Sequence, residues 1–134
     1  MRVKLALLAD AANVSREGKL NMLGIFDTIY AREFPTVHPH MTLVLRFEAA
    51  AAETGCVHEV VVELVGGDGD VVFRLPGKLD VQRSEPGAGV GIDHVLAIAN
   101  LSFRAAGRYV YRIHVGGALA AEVPLRVDQL PVRH

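Results

Sequence analysis

The most regular alternation of apolar and polar positions lies between residues 100 and 127. The first half of this segment places four apolar side chains on one parity: Tyr109, Tyr111, Ile113 and Val115. After a Gly-Gly-Ala sequence, five more follow with the same spacing: Leu119, Ala121, Val123, Leu125 and Val127. A period of two residues is typical of strands that bury one face. The segment therefore predicts a β-hairpin.

The turn of this hairpin decides which residues face each other. A three-residue turn over 116–118 sets Tyr111 opposite Val123 and Arg112 opposite Glu122, which keeps the apolar faces together. A two-residue turn would instead set Tyr111 opposite Glu122. We therefore expect the three-residue turn. Pro124 cannot donate a ladder hydrogen bond, so we expect the last strand at or near a sheet edge.

Further strands are predicted along the rest of the chain. They cover residues 3–9, 19–30, 41–48, 56–65, 71–75, 78–83 and 92–103. Turn sequences separate them: GGDGD at 66–70, Pro76-Gly77, and the flexible loop EPGAGVG at 85–91. No helical period extends over ten or more residues. The pattern predicts one all-β domain over 1–134, a two-sheet antiparallel β-sandwich of about eight or nine strands. A closed β-barrel is the alternative.

Two resemblances add to this expectation. The spacing of Leu101, Gly107 and Tyr109 resembles the corner before the sixth strand of immunoglobulin-like domains, where a tyrosine hydroxyl bonds to upstream backbone. The resemblance implies an immunoglobulin-like topology, although the cysteine pair and the tryptophan of antibody domains are missing. The run LLADAANVSREGKLNMLGIFDTIYAREFP, followed by MTLVLRFE, resembles a family of small uncharacterised bacterial all-β proteins.

Composition narrows the classes of partner. The 134 residues carry 14 basic and 15 acidic side chains, a net charge of −1, which argues against nucleic acid or an anionic membrane surface as a partner. Apolar residues make up 51% of the chain, which is high for a small soluble monomer. We therefore expect a homo-oligomer, with another protein as a further partner.

The single cysteine and the apolar runs bear on location. Cys56 alone excludes a disulfide framework, and its place at the start of a strand predicts a buried thiol with no basic neighbour. The run at 5–9 is shorter than the apolar core of a signal peptide, which needs about 7–15 residues. No run reaches the roughly 18–20 residues of a membrane span. These features predict a cytoplasmic protein.

No constellation of catalytic, cofactor-binding or metal-binding residues is evident. His38 and His40 would need Cys56 and His58 to complete a zinc site, and a surface loop is the better interpretation. The carboxylates and amide that could offer oxygen to Ca²⁺ lack the spacing of a calcium loop: Asp10, Asn13, Asp27, Asp68 and Asp70. No nucleophile and base can be paired from the sequence, so we predict no catalytic, cofactor or metal residues.

The polar segment at 10–18, DAANVSREG, is long for a hairpin connection. Extended loops on rigid sandwiches often carry binding residues. The candidate binding loop comprises Asp10, Asn13, Ser15, Arg16 and Glu17. We expect a non-catalytic binding or structural module that self-associates. The alternatives are an accessory subunit of a larger bacterial assembly, and a small-molecule-binding protein or enzyme. That last alternative requires a site at the sandwich mouth where Asp27, His58, Asp93 and His94 converge.

Overall fold

The computed structural model describes residues 1–83, 85, 87 and 89–131. Nine strands form within this described part of the chain: β1 Arg2–Val14, β2 Leu20–Phe26, β3 Thr28–Ala31, β4 Thr36–Ala49, β5 Cys56–Gly66, β6 Val71–Val81, β7 Val90–Phe103, β8 Gly107–Val115 and β9 Ala118–Gln129. A short 3-10 turn, Ala51–Glu53, connects β4 to β5. Among the described residues, no helix is long and apolar enough to cross a membrane.

The strands form two sheets that pack face to face. Sheet A has the order β2-β1-β4-β7, and sheet B has the order β3-β9-β8-β5-β6. The predicted all-β, two-sheet sandwich is confirmed. The closed-barrel alternative is wrong, because each sheet ends in two edge strands within the described residues.

The chain changes sheets at Asp27, inside the stretch that was expected to be one strand. β2 belongs to sheet A and β3 to sheet B, and the carbonyl of Asp27 accepts a hydrogen bond from the Arg126 amide at 2.8 Å. β3 then runs parallel to β9. The expectation of a single strand over 19–30 is therefore wrong, and sheet B is mixed rather than purely antiparallel.

The core lies between the two sheets. Its largest fully buried side chains from sheet A are Phe47, Phe103, Leu8, Met41, Leu43 and Leu45. Core residues from sheet B include Val60, Val62, Leu64, Tyr111, Ile113, Val123, Leu125 and Val127. The sequence pattern predicts inward side chains at Met41, Leu43, Leu45 and Phe47, and at Val60, Val62 and Leu64, and all seven are confirmed in the core. Removing such side chains from water is the main driving force for packing the sheets.

A β-bulge in β1 reverses the predicted faces of that strand. The sequence pattern places four residues on one inward face: Val3, Leu5, Leu7 and Ala9. The pairing with β4 shifts between Val3 and Leu5, which makes Lys4 the extra residue. Beyond the bulge, Leu8 enters the core, and Leu5 and Leu7 turn to the outer face of sheet A.

The C-terminal hairpin has the expected register but a different turn. Tyr111 faces Val123 and Arg112 faces Glu122, as predicted. The turn contains only Gly116 and Gly117, both with positive φ (58° and 84°), and a bulge between Ile113 and His114 restores the register. Two glycines accept the positive φ of the hairpin turn that suits twisted strands, so the three-residue turn is wrong.

The predicted tyrosine corner is present. The Tyr109 hydroxyl donates a hydrogen bond to the Ala105 carbonyl at 2.7 Å. The Tyr109 ring packs edge-on against Phe103, with ring centroids 5.0 Å apart. The neighbouring Tyr111 side chain is buried, and its hydroxyl donates to the sulfur of Met41 at 3.0 Å.

Prolines interrupt fewer strands than the sequence indicates. Pro76 lies inside the continuous strand β6, so the predicted turn at Pro76-Gly77 is wrong. β6 is an edge strand, where a missing N–H costs no ladder bond. Pro39 lies inside β4, in a part that pairs with β7 alone. Pro124 lies on β9 one strand from the edge formed by β3, which confirms the near-edge prediction.

The predicted flexible loop at 85–91 falls partly on residues 86 and 88, which lie outside the described residues. Residues 84 and 132–134 also lie outside them. Strand β7 already begins at Val90, so the C-terminal end of the predicted loop belongs to sheet A.

Candidate functional site

The candidate binding loop is mostly strand and tight turn. β1 continues to Val14, so Asp10 and Asn13 lie on a strand rather than in a connection. The Ser15 amide donates to the Lys19 carbonyl at 2.8 Å, which closes a short hairpin turn at whose tip Arg16 and Glu17 are exposed. The expectation of a long loop is wrong. A binding role for these side chains remains a prediction.

The polar side chains of this hairpin have local partners. Asn13 accepts a hydrogen bond from the Asn21 side-chain amide at 3.0 Å, across the β1–β2 pair. The Asp10 carboxylate occupies the space that a side chain at Gly24 would need, and Gly24 has a positive φ of 70°. Asp10 and Asn13 therefore stabilise the hairpin instead of pointing jointly at a ligand.

The four residues proposed for a site at the sandwich mouth do not converge. Arg46 binds Asp93 through two hydrogen bonds of 2.6 and 3.1 Å on the outer face of sheet A. His94 follows directly on the strand and faces the core side opposite Leu45, where burial lowers its pKa. Successive side chains of a strand point to opposite faces, so Asp93 and His94 cannot act on one ligand.

The other two members of that set are also far apart. Asp27 precedes β3, whereas His58 lies on β5, with β9 and β8 between them in sheet B. At about 4.8 Å per strand, three strand spacings amount to roughly 14 Å. The structure therefore gives no support to an enzyme or small-molecule site built from these residues.

His38 and His40 have contacts that do not involve Cys56 or His58. The His38 ring packs against Phe26 with centroids 6.3 Å apart, and His40 contacts the Thr42 hydroxyl at 3.2 Å. Cys56 is exposed, which contradicts the expected buried thiol, because it begins β5 outside the core.

The expectation that nothing basic flanks the thiol also needs correction. The His58 ring lies 3.2 Å from the Cys56 sulfur, since residues two apart share a strand face. No group of three or more His, Cys, Asp or Glu side chains able to hold a metal occurs in the described part of the chain.

An open groove of about 600 Å³ lies where the N-terminus meets the end of β4. Its charged groups bind each other: the N-terminal amine pairs with Glu53, and Arg2 pairs with Glu48 at 3.1 Å. The amine and the Ala50 N–H hold the pKa of Glu53 below its usual value. These charges already have partners, so the groove is better described as a polar rim than as a ligand pocket.

The largest unexplained feature is the outer face of sheet A. The register places eleven uncharged residues on it: Leu5, Leu7, Ala9, Ala11, Leu23, Ile25, Thr42, Val44, Val95, Ala97 and Ala99. Cross-strand rows such as Leu7-Val44-Val95 make it continuous. At one end, the Arg46–Asp93 pair forms a charged rim.

The exposure pattern of this face resembles a docking surface more than an ordinary solvated sheet face. Val44 is fully buried although it points away from the core, because Leu7 and Val95 cover it. Leu23 and Ile25, on the edge strand β2, are 72% and 62% exposed. An apolar centre bounded by charged residues is the usual arrangement of a protein interface.

Sequence reasoning found this face only in part. The residue pattern shows apolar side chains on both parities at 19–30 and 92–103. It misses Leu5 and Leu7, because the bulge at Lys4 cannot be seen in a strand that is apolar on both parities. Lys4 is at an outward position in the sequence pattern too, so it gives no signal of the bulge.

Fold and face together define the class: a two-sheet β-sandwich with a continuous uncharged outer face on sheet A. The family model described as a family of unknown function, DUF6941, matches residues 4–128. The chain therefore belongs to this family. A search of the curated proteins gives no significant match.

Two solved structures align with this chain at low sequence identity. An alkylpurine DNA glycosylase, AlkC, of Pseudomonas fluorescens, bound to DNA containing an abasic site analog, aligns over 95% of this chain with a TM-score of 0.55 and 11% identity. This chain spans only 30% of the glycosylase. A β-glucuronidase from glycoside hydrolase family 2 aligns over 69% of this chain and 11% of its own length, with a TM-score of 0.39 and 16% identity. The glycosylase likeness shows the fold alone.

Proposed function

We propose that this protein is a non-catalytic binding or structural module that self-associates through the outer face of sheet A. The observation that carries the proposal is the exposure of Leu23 and Ile25 beside a continuous uncharged face. A contiguous apolar patch at the surface often marks an interaction site. A second copy offers the same uncharged surface, so contact between two copies meets no unpaired charge.

The size of the face supports contact between copies. Four strands about 4.8 Å apart and six residues of about 3.3 Å each span roughly 19 by 20 Å, or about 400 Å². Patches of about 300–600 Å² on monomers are often functional. Full burial of a leucine side chain is worth about 1.5–3 kcal/mol. Leu23, which is largely exposed, therefore has most of that stabilisation still to gain.

Sedimentation equilibrium of matched variants tests this proposal. Leu23→Lys places a charge on the outer face, and a two-fold contact loses the burial of two leucines, about 3–6 kcal/mol or roughly 10²- to 10⁴-fold in dissociation constant. Leu119→Lys is the matched control, because Leu119 is 52% exposed and lies in sheet B. Dissociation by both variants, or by neither, would contradict the proposed surface.

We include an immunoglobulin-like topology in the proposal. The order β1-β4-β7 opposite β9-β8-β5-β6 agrees with the arrangement of strands A, B and E opposite G, F, C and C′ in that fold. The hydrogen bond from Tyr109 to the Ala105 carbonyl supports it further. A bacterial, cytoplasmic origin is likewise proposed. The free thiol of Cys56, exposed and without a disulfide partner, is compatible with a reducing compartment.

A second candidate is an accessory subunit of a larger bacterial assembly. The observation that favours it is that a sandwich of this shape forms 30% of the larger glycosylase chain, which shows that the fold occurs beside other domains. Native mass spectrometry of protein isolated from its own host distinguishes the two. A stoichiometric complex with another chain supports the accessory role, and a complex of identical chains supports self-association.

A further inference from the structure

Strand β7 is a long edge strand of sheet A. It runs over 14 residues and pairs with β4 on one side only. Between 94 and 103 it contains no proline and no Lys, Arg, Asp or Glu. A long edge with free backbone N–H and C=O groups is a template for pairing with another strand.

The other edges of the two sheets differ from β7. β6 carries Arg74, Pro76 and Lys78, which are the residue types that block edge pairing. β3 has only four residues, and β2 has seven, with Gly24 at positive φ near its middle. β7 therefore has the longest edge segment without proline or a charged side chain in the described chain, and Asn100, with a φ of 53°, interrupts it as Gly24 interrupts β2.

A second copy of β7 fits this edge. Antiparallel pairing of β7 with itself around Val95 or Leu96 keeps inward side chains opposite inward ones, because the strand period is two. In either register Asp93 faces an alanine of the other copy, Ala97 or Ala99, so no like charges meet. The two copies are then related by a two-fold axis perpendicular to the sheet.

Pairing two copies along β7 also doubles the area of the apolar face. A stable interface buries about 800 Å² per partner, about twice the estimated 400 Å² of one outer face. Joining two sheets A along β7 makes one eight-stranded sheet whose outer face is doubled. The doubled face then matches the area that a stable stacking contact needs.

We propose that two copies pair β7 to β7, and that two such pairs stack their doubled outer faces to form a tetramer with dihedral symmetry. The two-fold axis that relates the paired β7 strands is perpendicular to the sheet, and the two-fold axis that relates the stacked pairs lies in the plane of the sheet. The assembly therefore closes as a tetramer in which every β7 edge is paired. This inference rests on the proposed function for the stacking contact and adds a second, independent contact at β7.

The experiment combines native mass spectrometry with residue-resolved amide exchange. The full chain is measured as wild type, as Leu23→Lys and as the control Leu119→Lys. We expect wild type and Leu119→Lys to be tetramers, and Leu23→Lys to be a dimer. In β7, the amides of residues 94–99 that point away from β4 should be protected from exchange by at least tenfold in both the tetramer and that dimer.

The outcomes separate this inference from the proposed function. A wild-type dimer with unprotected β7 edge amides that Leu23→Lys converts to monomer overturns β7 pairing and leaves the stacking contact intact. A tetramer that falls to monomer in Leu23→Lys overturns the inference in the same way. A monomeric wild type overturns both. If Leu23→Lys does not fold, the exchange pattern of the wild type decides, because it needs no variant.

Discussion

Replacing Tyr109 with phenylalanine tests the corner that connects β7 to β8. Its hydroxyl donates to the Ala105 carbonyl at 2.7 Å, which fixes the chain as it turns between the sheets. Tyr109→Phe removes this hydrogen bond and leaves the ring in place against Phe103. The change is therefore confined to one polar contact.

The expected loss of stability follows from the single hydrogen bond that Tyr109→Phe removes. A hydrogen bond of this kind contributes a net of about 0.5–1.5 kcal/mol, so we expect a loss near 1 kcal/mol in the free energy of unfolding. For a domain of this size, such a loss lowers Tm by about 3–6 °C. Tyr111→Phe is the internal control, because the Tyr111 hydroxyl donates to the Met41 sulfur, a weak acceptor. We expect it to change stability by less than about 0.5 kcal/mol.

Urea unfolding followed by circular dichroism measures both variants against the wild type. The slope of free energy against urea should stay constant, since neither change alters the surface exposed on unfolding. A Tyr109→Phe protein as stable as the wild type would refute the corner as a stabilising contact. Equal losses of stability in Tyr109→Phe and Tyr111→Phe would contradict the expectation that the hydroxyl bonded to a carbonyl contributes more than the one bonded to sulfur.

Three further predictions address the β1–β2 hairpin and sheet A. Gly24→Ala should lower the free energy of unfolding in urea by more than about 1 kcal/mol, because Gly24 has a φ of 70° and the Asp10 carboxylate fills the space that the new methyl group needs. Adding Asp10→Ala should recover only part of that loss, because the strain of the positive φ remains. Burial lowers the pKa of His94, so the unfolded chain binds more protons, and the free energy of unfolding should fall as the pH drops from about 7 through the ordinary histidine pKa near 6.5. His94→Gln should flatten that part of the pH profile, and an unchanged profile would contradict the assignment. Arg46→Ala should lower Tm only slightly in thermal unfolding despite its two hydrogen bonds to Asp93, because the Arg46 side chain is 40% exposed and water can reach the pair.

Strands with one buried face could be predicted from the sequence. At 41–48 and 56–65 the apolar residues on one parity are buried in the core: Met41, Leu43, Leu45, Phe47, Val60, Val62 and Leu64. The same reasoning found Tyr111 opposite Val123, because only one register keeps apolar side chains together. A single buried face specifies register strongly, which is why these predictions succeed.

The bulge and the sheet change could not be predicted, for physical reasons that are not local. Strand β1 is apolar on both parities, so one extra residue at Lys4 leaves no mark on the pattern. The break at Asp27 depends on a hydrogen bond to Arg126, about a hundred residues further along the chain. Pro76 is tolerated because β6 is an edge strand, which depends on sheet order.

The outer face of sheet A could not be predicted from the sequence either, because it also depends on sheet order. Leu23 belongs to the same surface as Val95 only because β2-β1-β4-β7 brings their strands into one sheet. Composition indicated an excess of apolar residues but not their location. The expectation of a loop at 10–18 failed because β1 continues to Val14: Asn13 bonds to Asn21 on β2, and Ser15 bonds to Lys19 across the turn.

Sedimentation equilibrium of the wild-type chain over a wide range of concentration tests the central claim most directly. We predict a mass that is a multiple of the 14.4 kDa chain, reduced by Leu23→Lys and unchanged by Leu119→Lys. A wild-type chain that sediments at 14.4 kDa at every concentration would contradict self-association through the outer face of sheet A.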